Sequence, residues 1–174
     1  GVVPVYGVGE GRVGRPFYAM RFIEGQNLRK AIDGYHSGNW RTRQHGAQRL
    51  ELRCLLEHLI AACDTVAYAH NRGVVHRDIK PENIMLGRYG ETLVVDWGLA
   101  QFVERDPKAK ASGEETLMPE MLEKAKQGSD GGAGTVGYIS PEQLPGSMTP
   151  GGPASDVYSL GATLYKLLTG QPPF

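Results

Sequence analysis

The chain is poor in cysteine: Cys54 and Cys63 are its only two. Both fall within one helical pattern, and the rise of a helix over that spacing separates them by about 13 Å, beyond the reach of a disulfide. A disulfide framework is thereby excluded, and a reducing, cytoplasmic setting is the expectation. Long apolar runs are lacking as well. Nothing approaches the length of a membrane span, and no signal peptide is expected from these residues. An anchor elsewhere in a longer parent protein would leave no trace in these residues. Charge of one sign is also missing, since 19 Lys and Arg stand against 19 Asp and Glu. Bulk electrostatics therefore give no reason to expect a nucleic-acid partner or a membrane surface.

What remains is ordinary globular material. The 174 residues are 40% hydrophobic and 22% charged, enough for one domain with a sizeable core. Residues 2–8 and 16–23 are β-branched and aromatic and read as strands. Gly9, Gly11 and Gly14 lie between them and suggest a hairpin. Residues 27–33 read as a short helix and 34–46 as polar and irregular. The clearest helix spans 50–70, where Leu52, Leu55, Leu56, Leu59, Cys63, Val66, Ala67 and His70 form one apolar stripe, closed by Gly73. Short strands are expected at 74–75, 84–86 and 92–95. Residues 101–133 read as a long mobile loop carrying one short helix at 118–125. A second strong helix is expected at 157–169, with Ser155 as its N-cap and Gly170 and Pro172 as its stop. There is no internal repeat.

The chemistry concentrates in His76-Arg77-Asp78-Ile79-Lys80-Pro81-Glu82-Asn83, followed one strand later by Asp96-Trp97-Gly98. Phosphoryl transfer needs a carboxylate to take the proton of an attacking hydroxyl, a cation to offset charge on the moving group, and oxygen ligands for magnesium. Asp78 can be the base. Lys80 can reach the same side of the loop. Asn83 and Asp96 offer hard oxygen ligands for Mg2+. A lone Asp or Lys in a loop is usually just a solvated polar residue; the full string with an Asp-aromatic-Gly after a strand is far more specific.

On these residues the chain resembles the protein kinase family, and among its members the bacterial serine/threonine kinases of eukaryotic type. The family pattern falls on His76, Arg77, Asp78, Lys80 and Asn83, and its metal-binding Asp-Phe-Gly on Asp96-Trp97-Gly98, with Trp for Phe. Ser140-Pro141-Glu142 resembles the closing motif of the activation segment, and Gly134 to Tyr138 the substrate-docking loop before it. Asp156 to Gly161 is similar to the start of the long central helix, whose Asp steadies the catalytic-loop backbone. The likeness runs essentially from end to end.

The resemblance implies an α+β, protein-kinase-like fold that is partial. Residues 1–23 would be the end of the N-lobe and the hinge. Residues 24–174 would be a mainly helical C-lobe up to the central helix, with the activation segment at 96–142. It implies transfer of the ATP γ-phosphate, with Mg2+, to Ser or Thr hydroxyls of protein substrates. Asp78, Lys80, Asn83 and Thr135 would be catalytic, and Asn83 and Asp96 would hold the metal. Met20 would be the gatekeeper beside the adenine, Arg21 and Ile23 would offer backbone groups to its edge, Met85 would pack under the ring, and Asn27 falls near the ribose. Each of these also has a core or surface reading, and Thr135 has a reading as a plain turn residue. Lys80 and Thr135 favour a Ser/Thr over a Tyr substrate. Ser112, Thr116, Ser129 and Thr135 are candidate phosphorylation sites, with Arg77 as phosphate partner.

The stretch Gly9-Glu10-Gly11-Arg12-Val13-Gly14 fits a phosphate-cradling Gly-x-Gly-x-x-Gly. Pro16 replaces the expected Val, the hinge strand follows at once, and no helix follows, so a hairpin turn is the better reading. No Val-Ala-x-Lys occurs, so the family's Gly-rich loop, strand lysine and helix glutamate are expected in a longer parent, and this piece alone is expected to be inactive. The family's partner for Glu142 would come from later helices, and part of the face of residues 160–168 is expected to be exposed. Trp97 leaves the resting geometry of Asp96 open; the family's Phe packs on His76 and on a stack whose first-strand member would be Val5. Two further hypotheses stand beside the kinase: a catalytically inactive kinase-like scaffold or regulatory binding module, and a small-molecule phosphotransferase. The second would not be expected to carry the Thr135 loop and the Ser140-Pro141-Glu142 closure.

Overall fold

A computed structural model describes residues 1–10, 16–38, 45–103, 135–147 and 151–174. Helices and short antiparallel sheets are mixed, and they form two compact units: residues 1–65 with 82–95, and residues 66–81 with 96–174.

In the first unit, β1 (Val5–Glu10) pairs with β2 (Pro16–Met20) as an antiparallel hairpin, in the register Val5↔Met20 to Glu10↔Pro16. This is the pairing expected on either side of the Gly-x-Gly-x-x-Gly stretch, whose residues 11–15 lie outside the described residues. Both strands are shifted from their expected limits. The ladder stops at Val5, because Pro4 has no N–H to continue it; the Pro4 carbonyl instead accepts the Arg21 N–H at 3.1 Å. Beyond Met20 the chain runs on without ladder partners as far as Glu24.

A second sheet has the order β3-β5-β6: Gly25–Asn27, Ile84–Gly87 and Thr92–Val94. Its alternation is clean. Ile84, Leu86, Thr92 and Val94 are buried, while Met85 and Leu93, paired across the other face, are half-buried. Against this sheet lies α1 (Leu28–Ser37), with Leu28 and Ile32 fully buried. Asn27 caps it, its Oδ1 accepting the Lys30 N–H at 3.0 Å. Helix α2 (His45–Asn71) buries Leu55, Leu59, Ala62, Val66 and Ala69. Leu55, Leu59 and Val66 belong to the expected stripe and Ala62 and Ala69 join it; Leu52, Leu56, Cys63 and His70 are half-buried, and Ala67 is exposed. The His58 Nδ1 meets the Thr92 Oγ1 at 2.7 Å and ties α2 to β6. The expected irregular stretch at 34–46 is correspondingly shorter, since α1 runs on to Ser37 and α2 begins at His45.

In the second unit, β4 (Val74–Val75) pairs with β7 (Gln101–Phe102), and Val103 extends the pair by donating to the Gly73 carbonyl at 2.9 Å. The segment expected as a loop from residue 101 thus begins as a strand, too short to leave a sequence pattern. The expected helix at 118–125, with Ser112, Thr116 and Ser129, lies outside the described residues. Helix α3 is Pro153–Thr169. It starts earlier than expected because Pro153 takes a first-turn position, where its missing N–H is harmless. Gly152 is the N-cap, and Ser155 sits inside the helix with its Oγ accepting the Gly152 N–H at 3.2 Å. Gly170 ends α3 at φ 79°, its N–H returning to the Lys166 carbonyl. Val157, Leu164, Tyr165 and Leu168 face outward and are exposed. Cys54 and Cys63 are both free thiols. No described helix is long and apolar enough to cross a membrane.

Gly25 is required by the sheet. A Cβ there would lie 2.0 Å from the Leu86 carbonyl oxygen, a backbone atom that cannot swing aside. Gly34, inside α1, has nothing within 4 Å of that position. Gly25→Ala is therefore expected to cost about 1–3 kcal/mol by forcing β3 off β5. Gly34→Ala should stabilise by about 0.5–1 kcal/mol through the helix preference of Ala. Urea unfolding of the two variants checks the opposite signs.

Candidate active site

The loop after β4 is organised by one buried carboxylate. Asp156, in the first turn of α3, is 0% exposed. Its Oδ2 accepts the His76 N–H at 2.8 Å and faces the His70 Nε2 at 2.8 Å, and its Oδ1 accepts the Arg77 N–H at 2.8 Å. A charge taken out of water must be met by donors on every side, and here two of the donors are consecutive backbone amides. Arg77 is thereby held at φ 71°, a left-handed conformation that costs a non-glycine residue about 1–2 kcal/mol. The Arg77 carbonyl accepts from the Gln143 Nε2 at 2.7 Å.

This kink delivers Asp78, which is 8% exposed. Its Oδ2 accepts the Lys80 Nζ at 2.7 Å and its Oδ1 accepts the Thr135 hydroxyl at 2.9 Å; Lys80 Nζ also reaches the Thr135 Oγ1 at 2.7 Å. The three side chains form a closed triangle, so Thr135 is more than a turn residue. Its carbonyl does serve the turn, accepting the Tyr138 and Ile139 N–H groups. The Asp78 N–H donates to the His76 Nδ1 at 3.2 Å, which assigns the neutral-ring proton to Nε2. The Trp97 ring packs on His76 with centroids 4.5 Å apart and planes at 58°. The larger ring thus still makes the contact expected of Phe. Val5 belongs to the other unit and is exposed.

Of the remaining expected site residues, Asp96 belongs to this unit. It is exposed and left-handed at φ 62°, and it opens the short turn Trp97–Leu99. Asn83 belongs to the first unit, buried in the turn Pro81–Asn83, with its carbonyl accepting the Val95 N–H at 2.9 Å. Met20, Arg21, Ile23, Asn27 and Met85 are in that unit too. The Arg21 N–H is engaged by Pro4, so the backbone group Arg21 can offer is its carbonyl. Ile23 has no backbone partner among the described residues. The Asn27 Oδ1 is taken by its helix cap. Met85 lies on the sheet face away from the core.

Three residues contribute to the site in roles that the motifs do not announce. His70 was counted as part of an apolar stripe, yet its ring bonds Asp156. Gln143 and Ser155 each lie one helical turn or less from a motif residue, and only their side-chain partners reveal them. The Ser155 Oγ donates to the Glu142 Oε1 at 2.7 Å. That bond is the main reason the Glu142 carboxyl is held below its ordinary pKa, followed by a backbone N–H and, more weakly, Ser140, with slight burial opposing.

Asp156→Asn keeps the shape but turns one acceptor into a donor facing a backbone N–H. It should cost about 1–3 kcal/mol in urea unfolding and loosen the amides of His76 and Arg77 in hydrogen exchange. Because the Glu142 pKa is depressed in the folded state, its contribution to stability is present above the ordinary carboxylate value and is lost as pH falls through the folded value. The stability gap between wild type and Ser155→Ala should therefore narrow on acidification through that range. Unfolding curves from neutral pH down to about pH 3 check it.

The protein kinase domain family matches residues 19–174. The chain is 38% identical over 182 aligned positions to serine/threonine-protein kinase PknD of Protochlamydia amoebophila, covering 99% of this chain and 17% of that protein. It is 32% identical to PknD of Chlamydia pneumoniae, covering 100% of this chain and 18% of that protein. It is 34% identical to a probable serine/threonine-protein kinase of Streptomyces coelicolor, covering 99% and 22%. The chain thus spans about a fifth of the length of these relatives. With the Asp78 triangle, the Asp156 anchor and a family match over most of its residues, the chain belongs to the protein kinase family.

Proposed function

We propose that this chain carries the catalytic loop of a serine/threonine protein kinase, which in the complete protein transfers the γ-phosphate of ATP to Ser or Thr hydroxyls of protein substrates. The observation that carries the reading is the triangle of Asp78, Lys80 and Thr135. Lys80 on one carboxylate oxygen and Thr135 on the other fix the aim of Asp78, which would accept the proton of an incoming hydroxyl as base. Lys80, held on the same carboxylate, brings a positive charge to where a phosphoryl group passes. Thr135 fixes both, and in the resemblance that contact goes with a Ser/Thr substrate.

The donor chemistry fits ATP with magnesium. Asn83 and Asp96 would hold the metal through hard oxygens, and so few protein ligands suit Mg2+, which completes its shell with phosphate oxygens and water. Bound magnesium offsets charge on the phosphates. For the base, the Arg21 carbonyl and the Ile23 N–H offer an acceptor and a donor to the adenine edge, with Met20 beside it and Met85 beneath. Asn27 would lie near the ribose. In this reading residues 1–23 end the N-lobe and form the hinge, and residues 24–174 form C-lobe with the activation segment at 96–142. The setting is cytoplasmic, nucleic acid is not a partner, and the isolated piece is inactive for want of the strand lysine.

In the complete protein, Asp78→Asn is expected to lower kcat for Ser/Thr phosphorylation by about 10²–10⁴-fold while leaving nucleotide binding within a few-fold. Transfer of labelled γ-phosphate, with phosphoamino-acid analysis of the product, measures it. Unchanged turnover would sink the assignment of Asp78, and absence of any transfer by the wild-type protein would shift the reading to a kinase-like scaffold.

A further inference from the structure

The sequence Ser140-Pro141-Glu142-Gln143 has the form of a local helix-start motif, in which the fourth residue folds back on the first. Gln143 does this: its Oε1 accepts the Ser140 Oγ–H at 2.9 Å and the Ser140 N–H at 3.3 Å. The other end of its amide does something a local motif does not require. The Nε2 donates at 2.7 Å to the carbonyl of Arg77, 66 residues away in sequence. Ser140 is 0% exposed and Gln143 4%, so water does not compete for these bonds. The amide orientation is unambiguous, because a backbone N–H can only donate and a carbonyl can only accept.

The Arg77 carbonyl belongs to the peptide plane that enters Asp78. The N–H of that same plane is held by the His76 Nδ1, and the N–H of the plane before it by Asp156. Without Gln143 the Arg77–Asp78 plane would be held at one end only, next to a residue already in a left-handed conformation. We infer that Gln143 is a positioning residue for Asp78: it clamps the peptide plane preceding the base and so makes the aim of that carboxylate depend on closure of the segment around Ser140. The segment then grips the loop twice, by Thr135 on the Asp78 carboxylate and by Gln143 on the backbone behind it.

The inference rests on Asp78 being the base, and the test separates the two. In the complete kinase, Gln143→Glu preserves size and the acceptor toward Ser140 but sets an oxygen against the Arg77 carbonyl. Gln143→Met removes all three side-chain bonds at similar volume. Misplacing a catalytic group by a fraction of an ångström to an ångström costs about 10–100-fold. Both variants should therefore lose about 10–100-fold in kcat with KM for ATP within twofold and thermal unfolding still cooperative. The Glu variant carries a further signature. Once protonated, its carboxylic acid can donate to Arg77, so its kcat relative to wild type should rise as pH falls from 8 to 6, while the Met variant's ratio stays flat. If both variants turn over within twofold of wild type while Asp78→Asn is dead, the role of Gln143 is refuted and the base assignment survives. If the Glu ratio is as flat as the Met ratio, or if KM for ATP rises in step with the loss of kcat, the clamp is refuted as well.

Discussion

A carboxylate with no access to water cannot remain there as a bare charge. Asp156 has its two oxygens met by the amides of His76 and Arg77 and by the ring of His70. The arrangement binds three stretches of chain at once: the end of α2, the loop after β4 and the start of α3. Desolvating a charge is expensive, and here the expense is offset only in the one geometry that presents both amides together. That geometry requires the left-handed Arg77, and the left-handed Arg77 points Asp78 back toward Lys80 and Thr135. The strain at Arg77 is small against the loss of two charge-assisted hydrogen bonds to a buried anion, so the kink persists.

The same logic explains why a loop of charged and polar residues can be rigid. Asp78 is buried, Lys80 nearly so, and each is satisfied by the other and by Thr135. Lys80 lies two residues from Asp78, so the loop supplies that pair locally, whereas Thr135 comes from far along the chain. What the packing supplies is the approach of residues 135–143 to the loop, and the polar groups at the two ends of that stretch then make complementary contacts. One end supplies a hydroxyl to a carboxylate, and the other an amide to a carbonyl.

Much of this was legible in the sequence. The spacing from His76 to Asn83, with Asp96 and Ser140 to Glu142, pointed to the family that matches residues 19–174, because such strings have no simpler structural explanation. The hairpin, α2, β4 to β6 and α3 were legible from periodicity and breakers. What escaped was set by tertiary contact. β3 is Gly25-Gln26-Asn27, with no β-branched residue, and it exists because Gly25 lets its backbone lie against Leu86. β7 is two residues long. Along α2 the buried line keeps Leu55, Leu59 and Val66 of the expected stripe and adds Ala62 and Ala69, which are too small and weakly hydrophobic to stand out, while Ala67 faces out. Ser155 was read as an N-cap because its type suits one, but Pro153 already occupied the first turn. His70 and Gln143 escaped because nothing in a helical stripe or a local turn motif says that a side chain reaches a backbone far along the chain.

Trp97 shows how a departure from the family pattern can be accommodated. Its ring has to lie on His76, and His76 is not free to move, since its amide is fixed by Asp156 and its Nδ1 by the Asp78 N–H. The adjustment therefore falls on the indole, which tilts to 58° from the imidazole plane and stays only half-buried. Asp96 precedes Trp97 directly, and its own backbone is held in the left-handed region at the start of the turn. Asp96 is thus the chain neighbour of one of these two packed rings, and the Asp78 backbone is one hydrogen bond from the other. A change in the size of the aromatic at position 97 reaches Asp78 through His76 and Asp96 through the shared backbone, and it acts on Asp96 first, because that backbone, unlike the one at Arg77, is not clamped by Asp156 or Gln143.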